Sequence, residues 1–296
     1  MTQHTSKKLV YYWENFIKKE VEFLNKRHHF HYYNEIPYTM WPFYISEMLF
    51  VGIYFGILFL NGVETGILSI IGLSLVAVAA FLWFYDILVE SMIFGKYNRK
   101  LRRVIVVGFA LFLISEVFVF IGFFWAFFDR FFHNPALLGG ISIPMGLEIF
   151  VSHKKPLYAT IILLYSTIAF NGANYAFKWS TWTLSIAYSL FGLLLGRIFL
   201  AIQVTEYKHL SFNITDTVYG SCFYLLTGFH GFHVVVGLIF LTTQHDRLIS
   251  WSFSQERHLG YILAMLYWHF VDIVWIFLFI FVYYLNNKGY PNYLYV

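Results

Sequence analysis

The sequence predicts an all-α protein that crosses a membrane seven times. Of its 296 residues, 59% are hydrophobic and only 12% are charged, whereas a soluble domain carries about 25% charged residues. Seven apolar stretches each reach the length of about 20 residues that a helix needs to cross the hydrocarbon core. Glycine, proline and asparagine residues punctuate the stretches. We therefore expect a polytopic membrane protein without a separate soluble domain.

The predicted spans lie, in chain order, near 41–61, 66–95, 101–131, 157–177, 181–209, 216–244 and 259–286. The third, fifth, sixth and seventh exceed the minimum length, so they should tilt or project into water. Together the spans form one transmembrane domain over residues 41–296, with helices 1 and 2 at about 41–95 and helices 3 to 7 at about 101–286.

Residues 1–40 form an N-terminal extension with an amphipathic pattern. From Leu9 to Leu24 apolar residues recur at intervals of three and four, with lysines around them. This pattern is typical of a basic amphipathic helix that lies on a membrane surface or a partner. A helix packed on this chain's own surface fits the pattern equally well.

The distribution of lysine and arginine predicts the orientation. The N-terminus and the connectors after spans two, four and six carry 14 of these residues, and the opposite side carries five. Because basic residues favour the cytoplasmic or matrix side, the N-terminus is expected there and the C-terminus on the opposite side.

Composition excludes several functions. A net charge of only +4 gives no support for a nucleic-acid partner. The single cysteine, Cys222, allows no intrachain disulfide. It also excludes an iron–sulfur cluster held by four thiolates and a dinuclear copper site held by two.

One acid interrupts the third span, in the stretch FLISEVFVFIGFFWAFF (112–128). An ionised carboxylate at mid-bilayer costs a few kcal/mol, so Glu116 needs a compensating environment. Either it is a protonated, hydrogen-bonded acid in a helix contact, or it lines an internal water path and carries protons.

The sixth span contains TGFHGFHVVVG. His230 and His233 are three residues apart and therefore share a face of the helix. Gly228 and Gly231 remove side-chain bulk, which predicts close approach of another helix.

The seventh span contains YWHFVDIVW, in which the Asp272 carboxylate can accept a hydrogen bond from the His269 imidazole. His230 or His233 together with His269 could bind a haem from both sides. Structural hydrogen bonds between helices explain the same residues, and the spacing does not require a metal.

Polar residues also lie near the ends of spans two and five. Glu90 is expected either to pair with the basic loop 96–103 or to contact a lipid headgroup. Gln203 and Glu206 share a face near the membrane interface, where a solvated helix end is expected. Thr215 or Asp216 is then expected to cap the next helix.

These segments together resemble subunit III of the haem–copper cytochrome c oxidases. The resemblance covers about residues 41–286, so residues 1–40 extend beyond a compact family member. It is carried by WFYDILVES (83–91), FLISEVFVFIGFFWAFF (112–128), QVTEY (203–207), ITDTVYGSCFYLLTGFHGFHVVVG (214–237) and HLGYILAMLYWHFVDIVWIFLF (258–279).

The resemblance implies two helices and then five around a V-shaped cleft that holds phospholipid, cardiolipin or another. It implies no haem, copper or other metal on this chain, because subunits I and II carry the redox centres that reduce O2 with electrons from cytochrome c. The expected roles are to stabilise subunit I and to support proton uptake into it. The expected location is the mitochondrial inner membrane, with the N-terminus in the matrix and the C-terminus in the intermembrane space; a bacterial plasma membrane is the alternative.

Family residues can be placed on individual positions. Glu116 matches an intramembrane glutamate that reacts with carbodiimide, and Glu90 and Arg247 match positions that contact lipid headgroups. Phe84 stands where an aromatic residue often flanks that lipid. Tyr97 departs from the family, which commonly has histidine there.

Arg197 is a second departure, because the family usually has a small or apolar residue at this position inside span five. The residue therefore requires an acid, a cluster of carbonyls or a lipid phosphate. Two further function classes stay open on the residues alone: a membrane cytochrome with histidine-bound haem, and a transporter or channel that uses Glu116.

Overall fold

The computed structural model describes residues 39–92, 97, 99–132, 154–255 and 257–284. This part of the chain is helical, and each helix follows one apolar run of the sequence. The helices are α1 (Trp41–Leu60), α2 (Gly66–Met92), α3 (Arg99–Phe132), α4 (Lys154–Lys178), α5 (Trp182–Lys208), α6 (Val218–Ile249) and α7 (Leu259–Leu278), which continues as a π-helical segment (Phe279–Tyr284).

All seven of these described helices are long and apolar enough to cross a membrane. Their outward faces carry large apolar side chains, such as Phe118 at 66% and Trp125 at 75% exposure. Such a surface is stable in hydrocarbon or against partner proteins but not in water. The predicted all-α, seven-span membrane fold is therefore confirmed.

The chain divides into two compact units at the boundary between Arg103 and Val104. In the first unit α1 and α2 pack on each other. A Cβ atom added at Gly72 would lie 2.7 Å from the Gly52 backbone nitrogen, so the backbones touch there. Ser69 Oγ donates to the Gly52 carbonyl at 2.9 Å, and Thr65 Oγ1 donates to the Phe55 carbonyl at 2.9 Å. Small residues and hydroxyl groups thus hold these two helices together.

The second unit contains α4 to α7 and α3 from Val104 onward. Its core is built around two fully buried indoles of α7, Trp268 and Trp275. Trp268 donates to Ser166 Oγ at 3.0 Å and Trp275 donates to Thr160 Oγ1 at 2.9 Å, so both indole N–H groups find acceptors on α4. Helix α3 adds Phe120 to the same core.

Helix α6 differs from its predicted bounds at both ends. Thr217, and neither Thr215 nor Asp216, is its N-cap residue, and its hydroxyl accepts from Gly220 N at 3.0 Å. The helix extends to Ile249, beyond the predicted end at 244. The added turn is stabilised because His245 Nδ1 and Ser189 Oγ of α5 lie 2.9 Å apart in a hydrogen bond.

The predicted amphipathic helix within residues 1–40 lies outside the described residues, apart from positions 39 and 40. The same holds for most of the long connector after α3 and for residues 93–96, which end the predicted second span.

Candidate functional site

The intramembrane acid of α3 contacts a histidine of α6. Glu116 Oε2 lies 3.0 Å from His233 Nε2. The exposed fraction is 22% for the Glu116 side chain and 7% for that of His233. Glu116 thus lies in a hydrogen-bonded helix contact, and the partner is a residue that the sequence placed on a different span. Its protonation and the alternative of an internal water path stay predictions.

The second nitrogen of His233 determines what this contact can do. His233 Nδ1 lies 2.7 Å from the Phe229 carbonyl oxygen, which can only accept, so Nδ1 carries a proton. In a neutral ring Nε2 then carries a lone pair, and only a protonated Glu116 can donate to it. In the other state the proton has moved, and an imidazolium faces a carboxylate. Glu116 and His233 therefore share one proton.

Aromatic rings surround this pair. Centroids lie at 5.2 Å for Phe120, 6.2 Å for Phe270 and 6.4 Å for Tyr267, measured from the His233 ring. Apolar surroundings of this kind strengthen the hydrogen bond between the two side chains.

His230 makes a separate contact. Its ring is fully buried between Phe199 and Trp275, with centroids 5.8 and 5.1 Å away. Nε2 lies 3.2 Å from the Val271 carbonyl oxygen of α7, to which it donates. His230 therefore joins α6 to α7, while His233 joins α6 to α3.

His269 pairs with α4 and not with its neighbour on α7. Its Nε2 lies 3.2 Å from Asn171 Oδ1, which replaces the expected contact with the Asp272 carboxylate. Asp272 is 6% exposed and lies beside Thr167 of α4. Helical spacing places His269 and Asp272 on one face of α7, but each of these side chains has its own polar neighbour on α4.

The three imidazoles thus have three different partners: a carboxyl group, a backbone carbonyl and an amide. Within the described residues no group of three or more histidine, cysteine, aspartate and glutamate side chains could hold a metal ion.

Close helix approaches occur at other glycines than the sequence suggested. A Cβ atom added at Gly228 or Gly231 would meet nothing within 4 Å among the described residues. At Gly237 it would lie 3.0 Å from Trp268, and at Gly196 it would lie 2.7 Å from Leu238. No helix among the described residues packs at Gly228 or Gly231, so the close approach there stays a prediction, whereas Gly237, further along α6, packs on Trp268 of α7.

In the first unit, two of the predicted lipid-binding residues come together. Burial raises the pKa of the Tyr97 phenol, and the nearby Glu90 carboxylate raises it further. The phenol therefore keeps its proton and remains a hydrogen-bond donor. Phe84 is 62% exposed and stacks on Trp83 with centroids 6.1 Å apart.

In the second unit, Arg247 lies near the end of α6. Its guanidinium carbon is 4.5 Å from the centroid of the Phe253 ring, and one terminal nitrogen donates to Gln244 Oε1 at 3.1 Å. Nε has no hydrogen-bond partner among the described residues. The contacts with Phe253 and Gln244 thus hold the planar guanidinium in place.

Glu206 is a residue that the sequence reading placed wrongly. It was expected at a solvated helix end, yet it is fully buried, and the Tyr283 hydroxyl lies beside its carboxylate. Gln203, one turn earlier, is 5% exposed and donates to the Tyr283 hydroxyl at 3.5 Å. The cause is the π-helical end of α7, which covers this face of α5 and which the sequence pattern did not reveal.

Arg197 occupies an exposed position in the middle of α5. His245 of α6 lies within range of its charge. No hydrogen bond or ion pair of Arg197 to another described residue is present.

Comparison with known proteins points to one family. The profile of the family described as "Cytochrome c oxidase subunit III" matches residues 23–287. A protein of Emericella nidulans named "Cytochrome c oxidase subunit 3" is 37% identical over 261 residues, 88% of this chain and 96% of that protein. Proteins of the same name from Rhizopus stolonifer (38% over 263 residues, 88% and 92%) and Arabidopsis thaliana (35% over 260 residues, 88% and 97%) are also similar.

Proposed function

The chain belongs to the cytochrome c oxidase subunit III family, and on that premise we propose that it is the non-redox subunit of the oxidase complex. In this role it stabilises subunit I by direct packing, binds phospholipid and supports proton uptake during the reduction of O2 by cytochrome c. Haems and copper belong to the partner subunits.

The observation that carries the non-redox role is the engagement of the three intramembrane imidazoles. His230, His233 and His269 each use a ring nitrogen on a different partner. Two axial haem ligands would need imidazoles that face each other across the ring plane. The rings of His230, His233 and His269 are held by α7, α3 and α4 respectively, and they serve as links between helices instead.

The proton shared by Glu116 and His233 supports a role in proton uptake. The pair can hold or pass on one proton without creating an isolated charge in the membrane. The carboxyl side chain is partly exposed at the surface of the second unit, so a proton can be exchanged with a neighbouring group. A permanently satisfied structural contact is the alternative that the substitutions described in the Discussion distinguish.

Each of the two units carries a hydrogen-bond donor that supports phospholipid binding. Tyr97 keeps its phenolic proton next to Glu90, and Arg247 presents a guanidinium held by Phe253 and Gln244. Guanidinium and phenol groups both donate hydrogen bonds to phosphate oxygens. The exposed Phe84 ring adds apolar surface for an acyl chain.

The chain is a multi-pass membrane protein, and its place is proposed to be the mitochondrial inner membrane. The excess of basic residues on the N-terminal side supports an N-terminus in the matrix and a C-terminus in the intermembrane space.

The test is purification of the oxidase after mild detergent extraction, followed by selective removal of this chain. We expect it to copurify with a haem–copper subunit, and we expect the depleted oxidase to start turnover and then lose activity faster than the complete one. A chain that migrates alone, or a depleted oxidase with unchanged lifetime and proton uptake, would contradict the proposal.

A further inference from the structure

Arg197 lies at the centre of an exposed stripe on α5. The stripe follows the spacing of four and three residues that places side chains along one helix face. Every member is exposed. The members are Thr183, Ala187, Leu190, Leu194, Arg197, Ala201, Val204 and Lys208.

The adjoining and opposite faces of the helix are filled by this chain's own core. They include Leu193, Gly196 and Phe199, and the last of these is fully buried. The exposed stripe is therefore a separate surface and not a poorly packed part of the core.

The depth of Arg197 makes this stripe unusual. At 1.5 Å per residue, its Cα lies roughly 22 Å from Trp182 at the start of α5 and roughly 16 Å from Lys208 at the end. The hydrocarbon core is about 30 Å thick, and both distances exceed the excess length of α5, so Arg197 lies within the core. Side chains in a helix point toward its N-terminus, so this guanidinium points away from the nearer surface.

The chain's own described groups do not neutralise this charge. Helix α5 carries no acid before Glu206, and Glu206 is buried on the other face. His245 of α6, which lies within range of the charges of both Arg197 and Asp246, is itself a base, and Arg197 forms no ion pair with a described acid. An arginine at this depth is tolerated when it faces a protein group or a polar cavity, and it is strongly unfavourable against lipid.

We infer that the stripe from Thr183 to Lys208 is a docking face for a transmembrane helix of another oxidase subunit, and that this helix presents a carboxylate to Arg197. The inference rests on the proposed membership of the oxidase complex. Ala201 is the next member of the stripe after the arginine, and Ala187 lies three members before it. Small side chains at these positions let a partner helix come close. The charge of Arg197 then favours a partner helix that carries an acid, and it fixes the position of that helix along the membrane normal.

A charge series at Arg197 tests this inference in the complete oxidase. We expect Arg197→Leu and Arg197→Glu to lower the amount of chain retained after a detergent wash by roughly tenfold or more, because the partner's carboxylate is left buried and unpaired. Arg197→Lys should lose less, since it keeps the charge. The control Ile198→Leu, at the next exposed position, should be unchanged.

The sign of the Arg197→Leu result is decisive. If hydrocarbon were the neighbour, leucine would bind the membrane better than arginine, and retention would be equal or higher. That result would overturn the inference. Copurification of the parent chain with a haem–copper subunit is measured in the same preparation and reports separately on the proposed function.

A photocrosslink identifies the neighbour directly. The Arg197→Cys variant is labelled with a benzophenone maleimide. The parent chain, whose single cysteine is Cys222, is treated in the same way and controls for attachment at that position. The expected adduct joins Arg197→Cys to a peptide of another subunit that contains an intramembrane aspartate or glutamate. Adducts with lipid only, with this chain or with a second copy of it would contradict the inference.

Discussion

Replacement of Glu116 by leucine and by glutamine should have clearly different effects. His233 Nδ1 donates to the Phe229 carbonyl, so Nε2 requires a donor, and Glu116 is the residue at 3.0 Å. Leucine supplies none and leaves a buried nitrogen unsatisfied, which costs about 1–3 kcal/mol. This free energy corresponds to roughly a 5- to 150-fold change in an equilibrium constant. Glutamine carries an NH2 group that can donate to Nε2, so it should keep most of the stability.

The measurement is retention of the chain in the purified oxidase across a detergent titration, together with turnover on cytochrome c. Glu116→Leu should dissociate at a lower detergent concentration than Glu116→Gln. Ser115→Ala is the matched control, because Ser115 is the preceding residue and donates to the Phe112 carbonyl of its own helix at 2.7 Å. Electron transfer should remain largely intact in Glu116→Gln, since no redox centre depends on this residue.

Two results would refute this reasoning. Equal retention of the leucine and glutamine variants would mean that the hydrogen bond to His233 contributes nothing measurable. A loss of turnover in Glu116→Gln as large as that from removing a haem ligand would mean that Glu116 serves the redox chemistry itself.

Three further predictions concern other sites. Arg247→Ala should lower the phospholipid bound to the purified oxidase and shorten its working life, because a phosphate donor is lost; unchanged lipid content by mass spectrometry would contradict this. Burial lowers the pKa of His258, so below about pH 6.5 the unfolded chain binds a proton that the folded chain does not, and thermal stability should fall as the pH drops. His258→Phe should flatten this pH dependence of thermal stability. An unchanged slope in that variant would show that His258 does not cause it. Gly72→Ala should destabilise the α1–α2 pair by about 1–3 kcal/mol, since the new methyl group meets the backbone of α1. Gly228→Ala, which meets nothing within 4 Å, is its control, and equal thermal stability of the two variants would be incompatible with that contact.

The transmembrane helices were predictable because each span is a long run of apolar residues. A run of that length is stable in a membrane as a helix, which pairs all of its own backbone groups. The ends were less predictable. The predicted sixth span stopped at 244, just before His245, Asp246 and Arg247, yet His245 is buried against α5. A local pattern does not contain the hydrogen bond to Ser189 that holds this turn.

Partners between spans could not be read from spacing. His269 and Asp272 share a face, and the sequence offered no reason to prefer Asn171, 98 residues away, as the partner of His269. The same limit explains Glu206. Its position near a helix end suggested water, whereas the π-helical end of α7 buries it. Glu116 was different, because a lone acid in an apolar run requires a partner wherever the chain folds.

The most direct test of the central claim is the cofactor content of this chain alone. The oxidase is dissociated, the chain is isolated, and its absorption spectrum and its copper and iron content are measured against the partner subunits. We predict no stoichiometric Soret band and no bound copper on this chain, with haem and copper recovered on the partners. One haem or one copper per chain, lost when His230, His233 or His269 is replaced, would contradict the account.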